Sequence, residues 1–119
     1  DTLVVDKNPK CTAYIFGVCV SEEDCTGGNA PYSSIQDALD DAVDGDSIAI
    51  CPDEYDENNL TIEVDDLNIS STTTNTDDVK VINKADDSYI FYAKDNHSGI
   101  NFHYLTLEQK KADKNKSAI

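Results

Sequence analysis

Residues 32–51 read YSSIQDALDDAVDGDSIAIC, and the architecture follows from this stretch. Its first part places apolar residues at the spacing of one helix face, i, i+3, i+4, i+7 and i+8: Ile35, Ala38, Leu39, Ala42 and Val43. Ser33 and Gln36 occupy the capping-box positions at the start, and Gly45 supplies a left-handed stop at the end. The pattern predicts one amphipathic helix over residues 32–45, buried on one side.

Downstream of this helix the apolar residues alternate with polar ones, which is the pattern of half-buried strands. The alternation predicts seven short strands: 47–51, 60–64, 67–70, 79–82, 89–93, 100–102 and 104–107. Polar breaks separate these strands, and residues 52–54 form one of the breaks. No second helix pattern follows, which argues against an alternating strand–helix sheet because each parallel crossover there needs a helix. The one Asp-Gly pair ends the helix, which disfavours a sandwich built from tight hairpins. A solenoid of short stacked strands remains.

Upstream of the helix, residues 3–5 predict a short strand, and residues 13–18 predict a strand or one arm of a hairpin. The chain has four cysteines: Cys11, Cys19, Cys25 and Cys51. An even number of cysteines in a small chain predicts two disulfides in an oxidising compartment, and three pairings are possible. Zinc is the alternative, but no C-x-x-C pair starts a tetrahedral site. We therefore expect a single domain, 1–119, with a disulfide-stapled cap segment (1–31), a capping helix (32–45) and stacked strands (46–119).

Several of these segments together resemble right-handed parallel β-helix proteins of the pectin lyase-like superfamily. The pattern of that superfamily begins with an aromatic residue, S-I-Q-x-A-I/L and Gly-Asp, and continues with a strand, P-G-x-Y-x-E and another strand. In this chain the matching residues are 32–39, 42–50, 52–57 and 60–62. The resemblance covers the N-terminal cap and first coils, and it implies a mainly β fold: a short right-handed parallel β-helix (solenoid) with an N-terminal capping α-helix. The sequence departs from the superfamily pattern in two ways. It has Pro52-Asp53 in place of Pro-Gly, and it ends at residues 116–119, where a further strand would be expected to begin.

The net charge of the chain disfavours two classes of partner. The 119 residues include 9 Lys plus Arg and 24 Asp plus Glu, a charge of 9 − 24 = −15. Such an acidic surface repels nucleic-acid phosphates and anionic lipid. No apolar run approaches the roughly 20 residues that cross a bilayer, so no membrane insertion is expected. The start at Asp1, without Met or a basic and apolar leader, indicates the mature N-terminus of a secreted or cell-surface protein.

No complete catalytic set is visible, and no cofactor is predicted. Residues 75–78 resemble a polygalacturonase carboxylate motif, but the accompanying Gly-His-Gly and Arg-Ile-Lys elements are missing. With no Arg in the chain, Lys80 and Lys94 are the candidate bases of a lyase, and strand alternation favours solvent-facing positions for both. His97 and His103 have no Ser, Cys or carboxylate partner in the sequence that marks a triad.

Three further sets of residues are candidate binding or modification sites. If the bends between strands stack about 4.8 Å apart, their carboxylates align, which predicts calcium ligands in the densest acidic group. This group consists of Asp53, Glu54, Asp56 and Glu57. The alternative is that these residues form a solvated acidic surface. Four sequons are candidate glycosylation sites: Asn59, Asn68, Asn96 and Asn115. A set of aromatic residues offers either a sugar platform or core filling: Tyr89, Phe91, Tyr92 and Tyr104.

These observations favour a secreted or cell-surface structural or adhesive protein that self-assembles as a filament or surface-layer subunit. A β-helix of few coils leaves backbone N–H and C=O groups unpaired at its open end, and such an edge pairs with a neighbouring copy. The alternatives are the N-terminal part of a polysaccharide lyase or pectin esterase acting on uronate polymers, and a non-catalytic carbohydrate-binding module. Polysaccharide is the partner that both alternatives imply.

Overall fold

A computed structural model gives the fold, and the structure describes residues 1–29, 31–85 and 89–109. The described part of the chain is mainly β, with one α-helix and a 3₁₀ turn at Lys94–Asn96, as the alternation predicts. In chain order the elements are β1 (Thr2–Val5), β2 (Lys10–Ile15), β3 (Val18–Glu23), α1 (Ile35–Asp41), β4 (Ser47–Ile50), β5 (Asp53–Asp56), β6 (Leu60–Ile62), β7 (Asn68–Ser71), β8 (Val79–Asn83), β9 (Phe91–Ala93), β10 (Asn101–His103) and β11 (Thr106–Gln109).

Three parallel sheets hold all of the strands except β2 and β3. The first sheet has the order β1-β4-β7-β10, the second β5-β8-β11 and the third β6-β9. From β4 onward the chain passes through the first, second and third sheets in turn, repeats that order from β7, and returns to the first and second sheets with β10 and β11. Each pass therefore adds one strand beside the strand of the preceding pass.

The register places apolar residues of successive passes directly beside one another. In the first sheet Ile48 pairs with Leu3 on one side and Ile69 on the other, and Phe102 follows. In the second sheet Tyr55 pairs with Val81, which pairs with Leu107. The core consists of such columns, and Ile48, Ile69 and Val81 have no exposed surface. Alternating apolar residues that share a register bury one face of every sheet.

Helix α1 is shorter than predicted, and one residue of its predicted apolar face is exposed. Ser34, not Ser33, is the N-cap, because its hydroxyl accepts a hydrogen bond from the backbone N–H of Asp37 at 3.1 Å. At Ala42 the backbone is already extended, so the helix ends before Val43, whose side chain is 62 % exposed. The buried side chains of α1 pack on β1, β4 and β6: Ile35, Ala38 and Leu39.

Gln36 also departs from its predicted role in a capping box. Its side-chain carbonyl accepts the backbone N–H of Thr61 at 3.0 Å, and its amide donates to Asp40 at 2.9 Å. The side chain therefore fixes α1 to β6 instead of closing the first turn of the helix. Gly45 has a left-handed φ of +86°, but it lies in the turn after the helix, where its N–H donates to the carbonyl of Asp65.

The strands agree with the predicted segments to within about two residues, with one omission and one shift. No strand is predicted at β5, whose first two residues lie in the predicted polar break 52–54 and whose one apolar residue is Tyr55. That single side chain is buried and its hydroxyl donates to the carbonyl of Cys51 at 2.8 Å. Strand β11 begins at Thr106 and not at Tyr104, because Tyr104 has a φ of +58°, which breaks the extended conformation.

Strands β2 and β3 form an antiparallel hairpin, but residues 13–18 are not one arm of it as predicted: residues 13–15 end β2, residues 16–17 form the turn and Val18 begins β3. Both turn residues, Phe16 and Gly17, have positive φ, the conformation that type I′ turns require. The disulfide prediction is confirmed. Cys11–Cys19 links the two arms of the hairpin, and Cys25–Cys51 links the segment after the hairpin to the residue that follows β4.

Candidate functional site

The last strands of the first and second sheets form the C-terminal end of the stack. Within the described residues β10 pairs with β7 alone and β11 pairs with β8 alone, so each has a single strand neighbour. Four apolar residues lie on or beside these strands and are only partly buried against the core: Ile100, Phe102, Leu105 and Leu107. We call these four residues, with β10 and β11, the C-terminal end.

In the first and second sheets the last residue of the column is less buried than the residue before it. Ile69 is completely buried, but Phe102, its register partner in β10, keeps part of its surface exposed. Val81 and its partner Leu107 differ in the same way. The Phe102 ring packs on the buried ring of Phe91, with ring centroids 4.8 Å apart and an angle of 52° between the planes. The apolar columns thus reach the surface at this end.

The opposite, N-terminal end carries a covering helix and a bridging residue, while Leu3 in β1 stays partly exposed. Helix α1 packs on β1, β4 and β6, and Tyr32 pairs with the outer edge of β1, accepting from Asp6 N–H and donating its own N–H to Val4, both at 2.9 Å. The carboxylate of Glu57 accepts from the backbone N–H groups of Ile35 and Gln36 at 2.9 and 3.2 Å. These two groups are among the N–H groups that a helix cannot pair within itself, so Glu57 stabilises the covering helix.

The structure does not bring the four predicted calcium ligands together. Glu57 caps α1, Asp53 accepts from the Asn8 amide at 2.7 Å, and Asp56 pairs with Lys84 at 3.4 Å, while Glu54 is exposed. Among the described residues the one grouping with metal-ligand spacing combines Asp6 with two cysteines that form a disulfide: Cys25 and Cys51. The calcium prediction gains no support from this arrangement.

The residues that sequence analysis considered for catalysis make structural contacts. Lys94 pairs with Glu63 at 3.3 Å, and this hydrogen bond raises the pKa of Lys94. Asp78, in the motif-like segment 75–78, accepts the hydroxyl of Thr73 at 2.7 Å within a local turn. Lys80 shares its register with exposed Glu54 on the outer face of the second sheet, and His103 is exposed. These groups do not form a nucleophile–base or paired-carboxylate site with one another.

His97 has a carboxylate partner that sequence proximity did not reveal. Its Nδ1 lies 3.0 Å from an oxygen of Asp65, which also accepts the backbone N–H of Ser98 at 2.9 Å. The Ser98 hydrogen bond, followed by the His97 contact, holds the pKa of the Asp65 carboxyl below its ordinary value of 3.8. This carboxylate joins the turn between β6 and β7 to the segment before β10.

The Asp65 contact predicts a pH-dependent difference in stability. A carboxyl whose pKa is lowered by folding stabilises the folded state above its unfolded pKa, and this contribution is lost as the pH falls through the folded pKa. An Asp65→Asn variant should therefore have a lower urea midpoint than the wild type at pH 7, with the difference shrinking below about pH 4. Urea titrations at several pH values from 7 to 3 measure this difference.

The matched control for this prediction is Asp77→Asn, at an exposed position in the 75–78 turn. The Asp77 variant should follow the wild type across the whole pH range. A difference between the Asp65 variant and the wild type that stays constant down to pH 3 would contradict the role of the ionised Asp65 carboxylate.

Three of the four sequon asparagines fall within the described residues, and all three are exposed: Asn59, Asn68 and Asn96. Asn59 and Asn96 have positive φ in turns, while Asn68 begins β7. Asn115 lies outside the described residues. Glycosylation stays a prediction, and the three described positions are accessible to it.

The aromatic residues divide between the two roles that the sequence left open. Phe91 is fully buried, which confirms core filling for that ring. Tyr92 is half exposed, and together with Tyr89, Asn59 and Thr61 it lines a shallow cavity of about 330 Å³. Paired tyrosines beside polar side chains are the kind of surface on which a sugar ring stacks.

Sequence analysis missed the surface of the hairpin. Five large apolar side chains on the hairpin are each more than half exposed: Tyr14, Ile15, Phe16, Val18 and Val20. Phe16, at the turn, is fully exposed. The signal that could have found them is in the composition, because residues 11–21 contain no charged residue in a chain that is 28 % charged.

No protein-family model matches the chain, and neither a curated protein nor a solved structure shows significant similarity to it. None of the helices in the described part of the chain is long and apolar enough to cross a membrane.

Proposed function

We propose that this protein is a secreted or cell-surface structural or adhesive subunit that associates with copies of itself through the C-terminal end. In this proposal the three parallel sheets are the faces of a short right-handed β-helix, capped by α1. Two supports for the β-helix are the repeated order in which the chain passes through the sheets and the columns of apolar residues in register.

The observation that carries the proposal is the contrast between the two ends. At the N-terminal end α1 packs on β1, β4 and β6, and Tyr32 bridges to the outer edge of β1. Among the described residues no such bridge lies on the outer edge of β10, and the apolar residues around β10 are only partly buried. Strand edges and apolar surface together favour pairing with another strand. Every copy carries the same edge, so an antiparallel arrangement about a twofold axis pairs two identical ends.

The location in the proposal is supported by the disulfides. Disulfides persist in oxidising compartments, so the two in this protein are consistent with an extracellular location. The acidic surface, with a net charge of −15, favours solubility in such a setting.

Light scattering coupled to size-exclusion chromatography over a range of protein concentrations, followed by negative-stain electron microscopy, tests this function. The wild type should form dimers or larger assemblies. A Leu105→Asp variant should lose the association that depends on the C-terminal end, because a charge there must be desolvated in the contact. Because Leu105 also packs against the core, circular dichroism of this variant checks that the loss is not due to unfolding. Val43→Asp is the matched control, since Val43 is exposed and distant in sequence from that end.

A wild-type protein that stays monomeric at every concentration, with correct folding by circular dichroism, would contradict the proposal. The same preparation also tests the alternatives. Release of unsaturated uronate from pectin or alginate would support a lyase. Polysaccharide binding that is lost in Tyr92→Ala, without turnover, would support a carbohydrate-binding module that uses the Tyr89–Tyr92 cavity.

A further inference from the structure

We infer that Asn59 is an N-glycosylation site whose first sugar packs in the cavity lined by Tyr89 and Tyr92. The inference shares with the proposed function only the extracellular location, and it does not depend on association of the chain with itself.

The sequon Asn59-Leu60-Thr61 forms part of the wall of that cavity. Asn59 and Thr61 line the cavity together with the two tyrosines. Thr61 is the register partner of Tyr92 in the third sheet, and the backbone N–H of Asn59 donates to the carbonyl of Tyr89 at 2.6 Å. Neighbouring strands are about 4.8 Å apart, so the attachment point for a glycan lies beside the aromatic rings.

The alternation of the two strands places these side chains on the outer face of the third sheet. Leu60 and Ile62 are buried, so Thr61 between them faces outward. In the partner strand Phe91 is buried beside Leu60, and Tyr92 therefore faces outward next to Thr61. A group attached at the sequon is thus on the same side of the sheet as the tyrosine ring.

The acceptor nitrogen of Asn59 is available in the folded chain. Asn59 is exposed, and within the part of the chain that the structure describes its side-chain amide makes no hydrogen bond. Its backbone has a φ of +50°, which asparagine tolerates better than most residues. The Thr61 hydroxyl, which completes the sequon, donates to the Asn59 carbonyl at 3.1 Å. The turn holds the sequon backbone in place and leaves the side chain open.

The modification transfers a glycan from a lipid diphosphate donor to Asn59. The amide nitrogen attacks the anomeric carbon of the first sugar, a C–N bond forms, and the C–O bond to the diphosphate breaks. The lipid diphosphate leaves with the electron pair of that bond, and the amide nitrogen loses one proton. A transferase of the secretory compartment supplies both the donor and the catalysis.

The cavity suits a sugar that is attached at its wall. Its volume of about 330 Å³ is at the small end of the roughly 300–1,000 Å³ of ligand pockets, which fits a single sugar ring. The apolar face of a pyranose packs on a tyrosine ring, and Tyr92 is 51 % exposed without such a cover. Attachment makes the contact intramolecular, so an interaction too weak to hold a free sugar is sufficient. A sugar bound in this way excludes free polysaccharide from the cavity.

The other two sequon asparagines in the described residues differ from Asn59, since neither lines this cavity. Asn68 lies in β7 between Ser47 and Asn101, which are both polar, and Asn96 ends the 3₁₀ turn. Asn59 is therefore the sequon on which the inference concentrates.

Peptide mapping by mass spectrometry, on the chain secreted by a eukaryotic host, tests the attachment. Asn59 should carry a glycan in the wild type and in Thr61→Ser, which keeps the sequon. It should be unmodified in Thr61→Val, which removes the hydroxyl at nearly constant volume. Circular dichroism checks that all three proteins fold. An unmodified Asn59 in the folded, secreted wild type would overturn the inference.

Thermal unfolding tests the packing of the sugar. The protein that retains only the first sugar at Asn59 should melt roughly 3 °C above the enzymatically deglycosylated protein. Tyr92→Ala should remove most of this difference, while Tyr14→Ala, at an exposed tyrosine of the hairpin, should keep it. Enzymatic removal converts Asn59 to Asp in every variant, so this change cancels in the comparison. The other three sequons are first removed by alanine at their third positions: Ser70, Ser98 and Ser117.

Nuclear Overhauser contacts between the Tyr92 ring and protons of the first sugar provide a direct measurement and are expected. A melting difference that is absent, or that is equal with and without Tyr92, would overturn the inference. Neither readout depends on association of the chain, so light scattering of the wild type reports separately on the proposed function.

Discussion

Replacing Cys25 and Cys51 together by alanine should lower the free energy of unfolding by about 3.5 kcal/mol, according to the chain-entropy relation for a loop of this length. The two residues are 26 positions apart, and their disulfide closes a loop that contains all of α1 and β4. Without the disulfide the unfolded chain gains conformational freedom, whereas the folded chain keeps its sheets. Chemical denaturation of the double variant and the wild type measures the difference.

The second disulfide is the control for this prediction. Replacing Cys11 and Cys19 by alanine opens a loop of only 8 positions, within a hairpin that does not pack on the main core. The effect on global unfolding should therefore be under about 1 kcal/mol, because local opening of the hairpin need not disturb the parallel sheets. Equal losses for the two double variants would show that the hairpin unfolds together with the core and would contradict the prediction.

Replacing Ile69 by alanine should lower the free energy of unfolding by about 3 kcal/mol, within the range for buried Ile-to-Ala changes. Ile69 has no exposed surface and lies in the first sheet between Ile48 and Phe102. Both β4 and β10 lose packing when its side chain is shortened, because β7 lies between them. The same denaturation experiment measures the loss.

Val43→Ala is the matched control, because the sequence pattern assigned Val43 to a buried face and the structure places it on the surface. The change there should alter stability by less than about 0.5 kcal/mol. If Val43→Ala cost as much as Ile69→Ala, the helix would have to continue past Ala42, and the described end of α1 would be wrong.

Much of the fold could be predicted because most of the strands carry their own local signal. Alternating apolar residues mark β4, β6, β7 and β8 without reference to the rest of the chain, and the apolar spacing of residues 35–39 marks the helix in the same way. What local patterns do not contain is the partner of each strand. The pairing of β4 with both β1 and β7 brings together residues that are more than twenty positions apart.

The errors occur where a distant contact decides the local conformation. Strand β5 has one buried side chain, and its pairing with β8 makes up for the polar residues around it. Gln36 suits a capping box by spacing, but the N–H of Thr61 binds its carbonyl oxygen. The pairing of the cysteines likewise depends on the path of the chain between them, which spacing alone left open.

In the candidate site, too, some features follow from the local sequence and others depend on distant contacts. An open end is expected from the small number of strands, and within the described residues β10 and β11 each have one strand neighbour. The calcium prediction rests on the density of the acidic group along the chain, and it stays a prediction; in the structure Glu57 accepts from the backbone of α1 and Asp56 pairs with Lys84. Carboxylates close in sequence alternate between the faces of a strand or leave it at a turn, so density along the chain does not imply convergence in space.

The covering of one end by α1 and Tyr32 limits how far such a molecule can be extended. Two copies that join at their exposed ends present only closed ends outward, so that contact alone stops at a pair and produces no fibre. Continuous growth requires a second, chemically different joint on each subunit. An assembly with two such joints would have no overall polarity, because its subunits would alternate in direction.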